Sequence, residues 1–134
     1  MKLKNKVAIV TGGGKGIGEE ISLGIAKEGA KVVVADLDKE NSSYVVKEIL
    51  KNSGEAIYVE TDVSNEASVK NLISETINRF DQIDILINNA GIRHVKKLEN
   101  HDLNDWNDMI SVNLTGPYIC CQAVIPEMKK IGKG

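Results

Sequence analysis

Hydrophobic and polar positions follow two periods along this chain, one typical of buried strands and the other of amphipathic helices. Four short runs rich in Val and Ile predict strands that are covered on both faces. These runs are Lys6–Thr11, Lys31–Asp36, Ala56–Thr61 and Ile83–Asn88. Because helical periodicity follows each run, the pattern predicts βαβ units and an α/β fold with a parallel sheet.

The segments between the strands each carry one apolar face. The first helix is predicted over Ile17–Glu28, with Gly29 placed to end it. The second is predicted over Lys39–Asn52, ending at Gly54, and the third follows a cap at Ser64. Their apolar stripes are, in order, Ile17, Ile21 and Ile25; Val45, Val46, Ile49 and Leu50; and Val69, Leu72, Ile73, Thr76, Ile77 and Phe80.

The tail after the fourth strand is predicted to be a loop followed by one long helical segment, Leu103–Lys130. Asp102 is placed to cap its first turn. Gly116-Pro117 should bend or interrupt the segment, because proline lacks the N–H that a helical hydrogen bond needs.

Composition and charge argue against several classes of function. The 134 residues are 42% hydrophobic and carry a net charge of −2, which fits one soluble domain. No basic stripe suggests nucleic acid, no basic amphipathic segment suggests a membrane, and no His, Cys, Asp or Glu set has metal-ligand spacing. The N-terminus lacks the apolar run of a signal peptide, and a disulfide between the adjacent Cys120 and Cys121 is not expected, so we expect a cytoplasmic protein.

The candidate chemistry begins where the first strand meets the first helix, at Thr11-Gly12-Gly13-Gly14-Lys15-Gly16-Ile17-Gly18. Glycines let a backbone approach a pyrophosphate, and the N–H groups of a helix start offer free donors and partial positive charge. The glycines at 12, 16 and 18 do not follow the G-x-G-x-x-G spacing, and no P-loop can be placed around Lys15. A tight turn without a ligand is the alternative.

Asp36 ends the second strand, where a carboxylate can accept hydrogen bonds from both hydroxyls of an adenine-side ribose and repel a 2′-phosphate. Lys15 argues in the other direction, for NADP, because its ammonium could approach such a phosphate. No basic residue assists it at Leu37, so we expect NAD, with NADP less favoured. The alternative is that Asp36 only begins a turn with Asp38.

Two further groups follow the third and fourth strands, at the edge where open α/β sheets bind ligands. Asp62 with Val63 can accept from an adenine amino group and pack against its ring, or can simply form a helix entry. In Asn88-Asn89-Ala90-Gly91 the small residues leave room for a cofactor, while the Asn88 amide can instead bridge neighbouring strands.

In order and spacing, these motifs and Val112-Asn113-Leu114-Thr115-Gly116 resemble the short-chain dehydrogenase/reductase family, of the non-extended type. The resemblance implies an alcohol–ketone oxidoreductase with a doubly wound Rossmann-type parallel sheet, of which strands in the order 3-2-1-4 would be present. It implies that Asn88 holds the central sheet together and that Asn113 is catalytic, its backbone carbonyl holding a water in a proton relay. The candidate cofactor-binding residues are Thr11, Gly12, Gly14, Lys15, Gly16, Ile17, Gly18, Asp36, Leu37, Asp62, Val63, Asn89, Ala90 and Gly91.

The family's catalytic tyrosine and lysine have no counterpart in these 134 residues. None of the three tyrosines, Tyr44, Tyr58 and Tyr118, is followed four residues later by the lysine that would lower its pKa. We therefore expect residues 1–134 to be a cofactor-binding half, inactive alone, of a protein that forms homo-oligomers (tetramers) when intact. Three apolar residues of the last helix would then be exposed unless a partner covers them: Ile119, Val124 and Ile125.

Two other functions remain open at this point. One is a non-catalytic dinucleotide-binding module, or a truncated family member, that associates with a full-length relative. The other is a different nucleotide-using α/β protein, such as a methyltransferase. The substrate of an intact oxidoreductase would be a small alcohol or carbonyl compound that this sequence does not identify.

Overall fold

Four parallel strands form one sheet in the computed structural model, which describes residues 1–134. The order β3-β2-β1-β4 confirms the predicted order. The strands are β1 Val7–Thr11, β2 Lys31–Asp36, β3 Glu55–Glu60 and β4 Ile85–Ile87. The helices are α1 Gly16–Lys27, α2 Lys39–Lys51, α3 Glu66–Phe80, α4 Leu103–Ile110 and α5 Gly116–Lys130, with a 3-10 turn at Leu98–Asn100 and a π-helical turn at Ser111–Thr115.

Helices cover both faces of the sheet, which confirms the doubly wound arrangement. Successive residues of a strand point to opposite faces, so β1 contributes to two separate cores. Ile9 packs in one core with Leu72 of α3 and Val124 of α5. Val10 packs in the other core, which includes Val45 of α2. All five residues of β1 are buried, as its continuous apolar run predicts.

Parallel pairing brings the carboxyl ends of the four strands to one edge. Thr11 of β1 pairs with Ala35 of β2, which pairs in turn with Val59 of β3. On the other side, Val10 of β1 pairs with Ile87 of β4. The glycine turn and the motifs that follow β2, β3 and β4 therefore start from the same edge of the sheet.

Parts of the helix prediction are wrong in detail. Asn65, not Ser64, caps α3 through its side-chain oxygen. Ile17 is 76% exposed and Leu50 is 52% exposed, although both belong to predicted inward stripes. The fully buried side chain of α1 is instead the small Ser22, since the helix lies close to the glycine turn.

The tail is one long helical run made of α4, the π-helical turn and α5. Asp102 caps α4 in a capping box, as predicted, and the π-helical turn supplies the interruption directly before Gly116. Ile119 and Val124 are only 8% and 3% exposed, contrary to expectation, and of the three residues Ile125 alone is exposed, at 46%. No helix in the chain is long and apolar enough to cross a membrane.

Candidate functional site

A cleft of about 360 Å³ lies at the carboxyl edge of the sheet. Its lining carries the carboxylates of Asp36, Asp38 and Asp62 and a single ammonium, that of Lys15, so its charge is negative. The structure brings nine of the predicted cofactor-binding residues together here: Gly12, Lys15, Asp36, Leu37, Asp62, Val63, Asn89, Ala90 and Gly91.

The glycines of the turn make close backbone packing possible. A Cβ on Gly12 would lie 2.9 Å from Ala90 Cα, and the φ of Gly12 is +61°. A Cβ on Gly18 would collide with the carbonyl of Gly12, so Gly18 lets α1 start directly beneath the turn. The predicted cofactor-binding residues that do not line the cleft are Thr11, Gly14, Gly16, Ile17 and Gly18.

Thr11 and Asn89 join the end of β4 to the glycine turn. The buried Thr11 hydroxyl accepts hydrogen bonds from the N–H groups of Asn89 and Ala90, each 3.1 Å long. The Asn89 amide donates to the carbonyls of Thr11 and Gly12, at 3.1 and 3.0 Å. The bridging role predicted for Asn88 therefore belongs to Asn89, whereas the Asn88 amide lies 3.4 Å from Cys121 Sγ on α5.

Asp36 is held in place by two backbone N–H groups. Its Oδ2 accepts from Gly14 N–H and its Oδ1 from Asp38 N–H, both at 3.0 Å. The Gly14 N–H is therefore used inside the protein and is not free for a phosphate. A carboxylate that accepts one bond at each oxygen still has lone pairs for two ribose hydroxyls.

Asp38 brings a second carboxylate to the same side of the cleft. It caps α2, and the side chain and backbone of Asn41 donate to it, at 2.7 and 3.1 Å. These bonds lower the pKa of Asp38, and the nearby Lys15 ammonium adds to that effect. Part of the positive charge of Lys15 is thus offset by Asp38.

Asp62 and Val63 follow β3, the strand next to β2, and also line the cleft. Asp62 Oδ1 accepts from the backbone N–H and the hydroxyl of Ser64, at 2.9 and 2.6 Å. Both bonds go to the same oxygen, which leaves Oδ2 for a ligand. Val63 is 6% exposed and packs against Gly116, where a Cβ would lie 2.7 Å from Val63 Cγ2.

Asn113 lies within the π-helical turn, a feature that is frequent at functional sites. Its amide donates to Ile92 O and accepts from Ile92 N–H, both at 2.8 Å. The side chain thereby fixes the loop after β4, and Ile92 lines the cleft. The structure assigns the Asn113 side chain this positioning contact, while the role of its backbone carbonyl stays a prediction.

Four lining residues lie outside the predicted set: Asp38, Thr61, Ile92 and Val112. Asp38 carries a usable signal, because Asp three residues before Asn41 fits an N-cap. Ile92 and Val112 adjoin predicted motifs, and the fold brings them to one wall. Thr61 uses its hydroxyl on Val59 O and has no pattern that marks a site.

The family of this α/β chain follows from a protein-family model. A model described as short chain dehydrogenase matches residues 6–134. The chain belongs to the short-chain dehydrogenase family. Among its relatives is an uncharacterized oxidoreductase of Thermotoga maritima, 44% identical over 133 residues, which cover 98% of this chain and 52% of that protein. A 3-oxoacyl-[acyl-carrier-protein] reductase of Synechocystis sp. is 42% identical over 133 residues, 98% of this chain and 54% of its own length.

Solved structures of short-chain dehydrogenases agree with the fold. A metagenomic short-chain oxidoreductase in complex with NADP has a TM-score of 0.93 and 31% identity. The match covers all of this chain and 61% of that one. The chain spans about half the length of the curated relatives it matches.

Proposed function

We propose that residues 1–134 bind NAD in the cleft and form the cofactor-binding half of an oxidoreductase that interconverts an alcohol and a ketone. The observation that carries the proposal is the convergence of Gly12, Asp36 and Asp62 on one negatively charged cleft at the carboxyl edge of the sheet. Open α/β sheets bind dinucleotides at this edge.

The residues present fit a dinucleotide. Gly12 offers bare backbone where a side chain would fill space beside Ala90. Asp36 is preorganised to accept from an adenosine ribose, and Asp62 Oδ2 can accept from the adenine amino group beside Val63. Gly16 and Ile17 lie in the exposed first turn of α1, where helix N–H groups lack partners and can face a pyrophosphate.

The charges of the cleft favour NAD over NADP. A 2′-phosphate beside Asp36 would meet carboxylates at Asp36 and Asp38, whereas the one cation, Lys15, already lies near Asp38. Like charges a few ångströms apart disfavour binding. NAD, with two hydroxyls on that ribose, supplies donors in place of negative charge.

When bound, the nicotinamide supplies hydride transfer. The 134 residues contain no tyrosine with a lysine four positions later, so they offer no general acid of the family's kind. Asn113 contributes by holding the Ile92 loop against the cleft, and its backbone carbonyl is our candidate for holding a relay water. We therefore expect this chain alone to be inactive.

The intact protein is proposed to be a cytoplasmic homo-oligomer, a tetramer, acting on a small alcohol or carbonyl compound. A set of exposed apolar side chains along α4, the π-helical turn and α5, here called the stripe, supports the oligomer, because it leaves large side chains in water. Two unpaired cysteines, one buried and one exposed, support a reducing compartment. The stripe consists of Leu103, Trp106, Leu114, Tyr118 and Ile125.

Calorimetric titration of the 134-residue chain with NAD, NADP and S-adenosylmethionine tests the proposal. We expect binding of NAD, weaker binding of NADP and none of S-adenosylmethionine. Asp36→Asn should weaken NAD by about tenfold, since a charge-assisted acceptor is lost. Asp81→Asn is the matched control, because Asp81 follows α3 and does not line the cleft. Tighter binding of S-adenosylmethionine than of NAD, or no binding of either dinucleotide, would contradict the proposal.

A further inference from the structure

The glycine turn touches the first turn of α2 as well as the cleft. A Cβ on Gly14 would overlap the hydroxyl oxygen of Ser42 and would lie 3.1 Å from both Asp36 Oδ2 and Ser42 N. Gly14 does not have a left-handed φ, so its backbone conformation does not require glycine. The requirement comes from packing, because Asp36 and Ser42 close on the space where a side chain would be.

Ser42 lowers the stability of the fold more than a residue that only fills space would. It is fully buried, and its hydroxyl has no hydrogen-bond partner. An unpaired buried hydroxyl lowers stability, so alanine would serve better if filling space were the only role. Ser42 does not line the cleft.

The same region of the molecule holds the Asp36 carboxylate at both oxygens. Gly14 N–H donates to Asp36 Oδ2, and Asp38 N–H donates to Asp36 Oδ1. The carbonyl of Asp38 in turn accepts from Ser42 N–H. Gly14, Asp36 and the first turn of α2 therefore form one packed unit. A shift of Gly14 away from Ser42 would move the donor that fixes Oδ2.

We propose that Gly14 and Ser42 are positioning residues that orient the Asp36 carboxylate, and that their contact sets the preference for a dinucleotide with a free 2′-hydroxyl. The inference rests on the proposed function, NAD binding in this cleft. A carboxylate turned away from its present position can neither accept from both ribose hydroxyls nor oppose a 2′-phosphate at close range.

The test compares Gly14→Ala with Gly24→Ala, using NAD and NADP titrations of the 134-residue chain. Gly24 lies in α1, where an added Cβ meets nothing within 4 Å. Gly14→Ala should weaken NAD by about tenfold or more, and should change NADP much less, so that the ratio of the two affinities falls. Gly24→Ala should leave both affinities and their ratio unchanged.

A second substitution distinguishes positioning from general damage. Ser42→Ala removes the atom that the new methyl group overlaps, so the double variant Gly14→Ala/Ser42→Ala should regain part of the NAD affinity and of the ratio. Gly14→Ala/Ser43→Ala is the matched control on the same helix and should regain neither. If Gly14→Ala does not fold, judged by circular dichroism, Ser42→Val presses on the same contact from α2 and should lower the ratio instead.

The titrations distinguish a failure of the inference from a failure of the proposed function. An unchanged NAD to NADP ratio in the folded Gly14→Ala variant, or in Ser42→Val where that variant is used, would overturn the inference while leaving the proposed function intact. Equal recovery with Ser42→Ala and Ser43→Ala, or none with either, would also overturn it. A wild-type chain that binds neither dinucleotide would instead refute the proposed function, and the inference with it.

Discussion

Strand β2 pairs with β1 over five residues and has four fully buried residues, whereas β4 pairs with β1 over three residues that are all only half-buried. Side-chain hydrogen bonds at both ends of β4 compensate for its shorter pairing and lower burial. At the amino end of β4, Asp84 accepts from Val7 N–H at 2.9 Å. At the carboxyl end, the Thr11 hydroxyl donates to Ile87 O at 3.3 Å.

The two walls of the cleft therefore depend on different forces. Apolar burial positions β2 and with it Asp36, the residue proposed to select NAD. Polar contacts position β4 and with it Asn89, Ala90 and Gly91. Variants that remove one kind of contact should consequently affect one wall of the cleft before the other.

The largest expected effect is at the apolar centre of the sheet. Ile9 is fully buried in β1, so Ile9→Ala should lower the free energy of unfolding by about 3–5 kcal/mol. Ile87→Ala, the same change in the half-buried β4, should cost about 1–2 kcal/mol. Urea denaturation measures both, and equal costs would show that burial does not distinguish β4 from β1, the fully buried strand that joins it to β2.

Asp84 should make stability depend on pH. Burial alone would raise its pKa, but the bonds from Val7 N–H, Lys6 and Gln82 outweigh burial, and the pKa is lowered. A lowered pKa in the folded state means that the stabilisation is present above the unfolded value, about 3.9, and is lost as pH falls through the folded value.

The matching variant is Asp84→Asn, which cannot titrate. It should cost about 2 kcal/mol at pH 7, because charge-assisted bonds are lost. The difference in unfolding free energy between wild type and variant should stay constant from pH 7 to about 5 and shrink below about pH 4. A difference that is unchanged at pH 3 would rule out the role given to Asp84.

Thr11→Val tests the carboxyl end of β4. It removes the acceptor of two N–H groups, so we expect a cost of about 1–3 kcal/mol and weaker NAD binding. Thr76→Val is the control, since the equally buried Thr76 hydroxyl bonds only to Leu72 O within its own helix. Similar effects of the two variants on NAD binding would count against the Thr11 link.

Asn113→Ala should have the smallest effect on stability, about 1 kcal/mol, because its two bonds to Ile92 are exposed. The sharper readout is amide hydrogen exchange, which should accelerate at Ile92. Asn107→Ala, at an exposed position on α4, is the control. An unchanged exchange rate at Ile92 would contradict the positioning contact.

The place of the cleft could be predicted from the sequence, because it depends on little more than where the strands end. The motifs at Gly12, Asp36, Asp62 and Ala90 each stand at or just after the end of a strand, and parallel strands end at one edge. What a motif residue contacts was less predictable. Gly14 reads as part of a phosphate cradle, yet its N–H is bonded to Asp36.

The errors arose where neighbouring residues could serve the same purpose. Ser64 and Asn65 both suit an N-cap, and the bond of Ser64 to Asp62 leaves the cap to Asn65. Asn88 and Asn89 are chemically identical, and only the end of β4 at Ile87 decides which of them faces the turn. Such choices depend on tertiary contacts that periodicity does not encode.

NAD binding at the carboxyl edge of the sheet is tested most directly by an NMR titration of the ¹⁵N-labelled 134-residue chain with NAD. We expect amide shifts to change at the carboxyl edge of the sheet, at Gly12, Asp36, Asp62 and Ala90, and not at the opposite edge. A second cavity of about 310 Å³ at that opposite edge, lined by Met1 among others, provides the contrast. Shifts confined to that second cavity, or no saturable shifts at the carboxyl edge, would contradict the central claim.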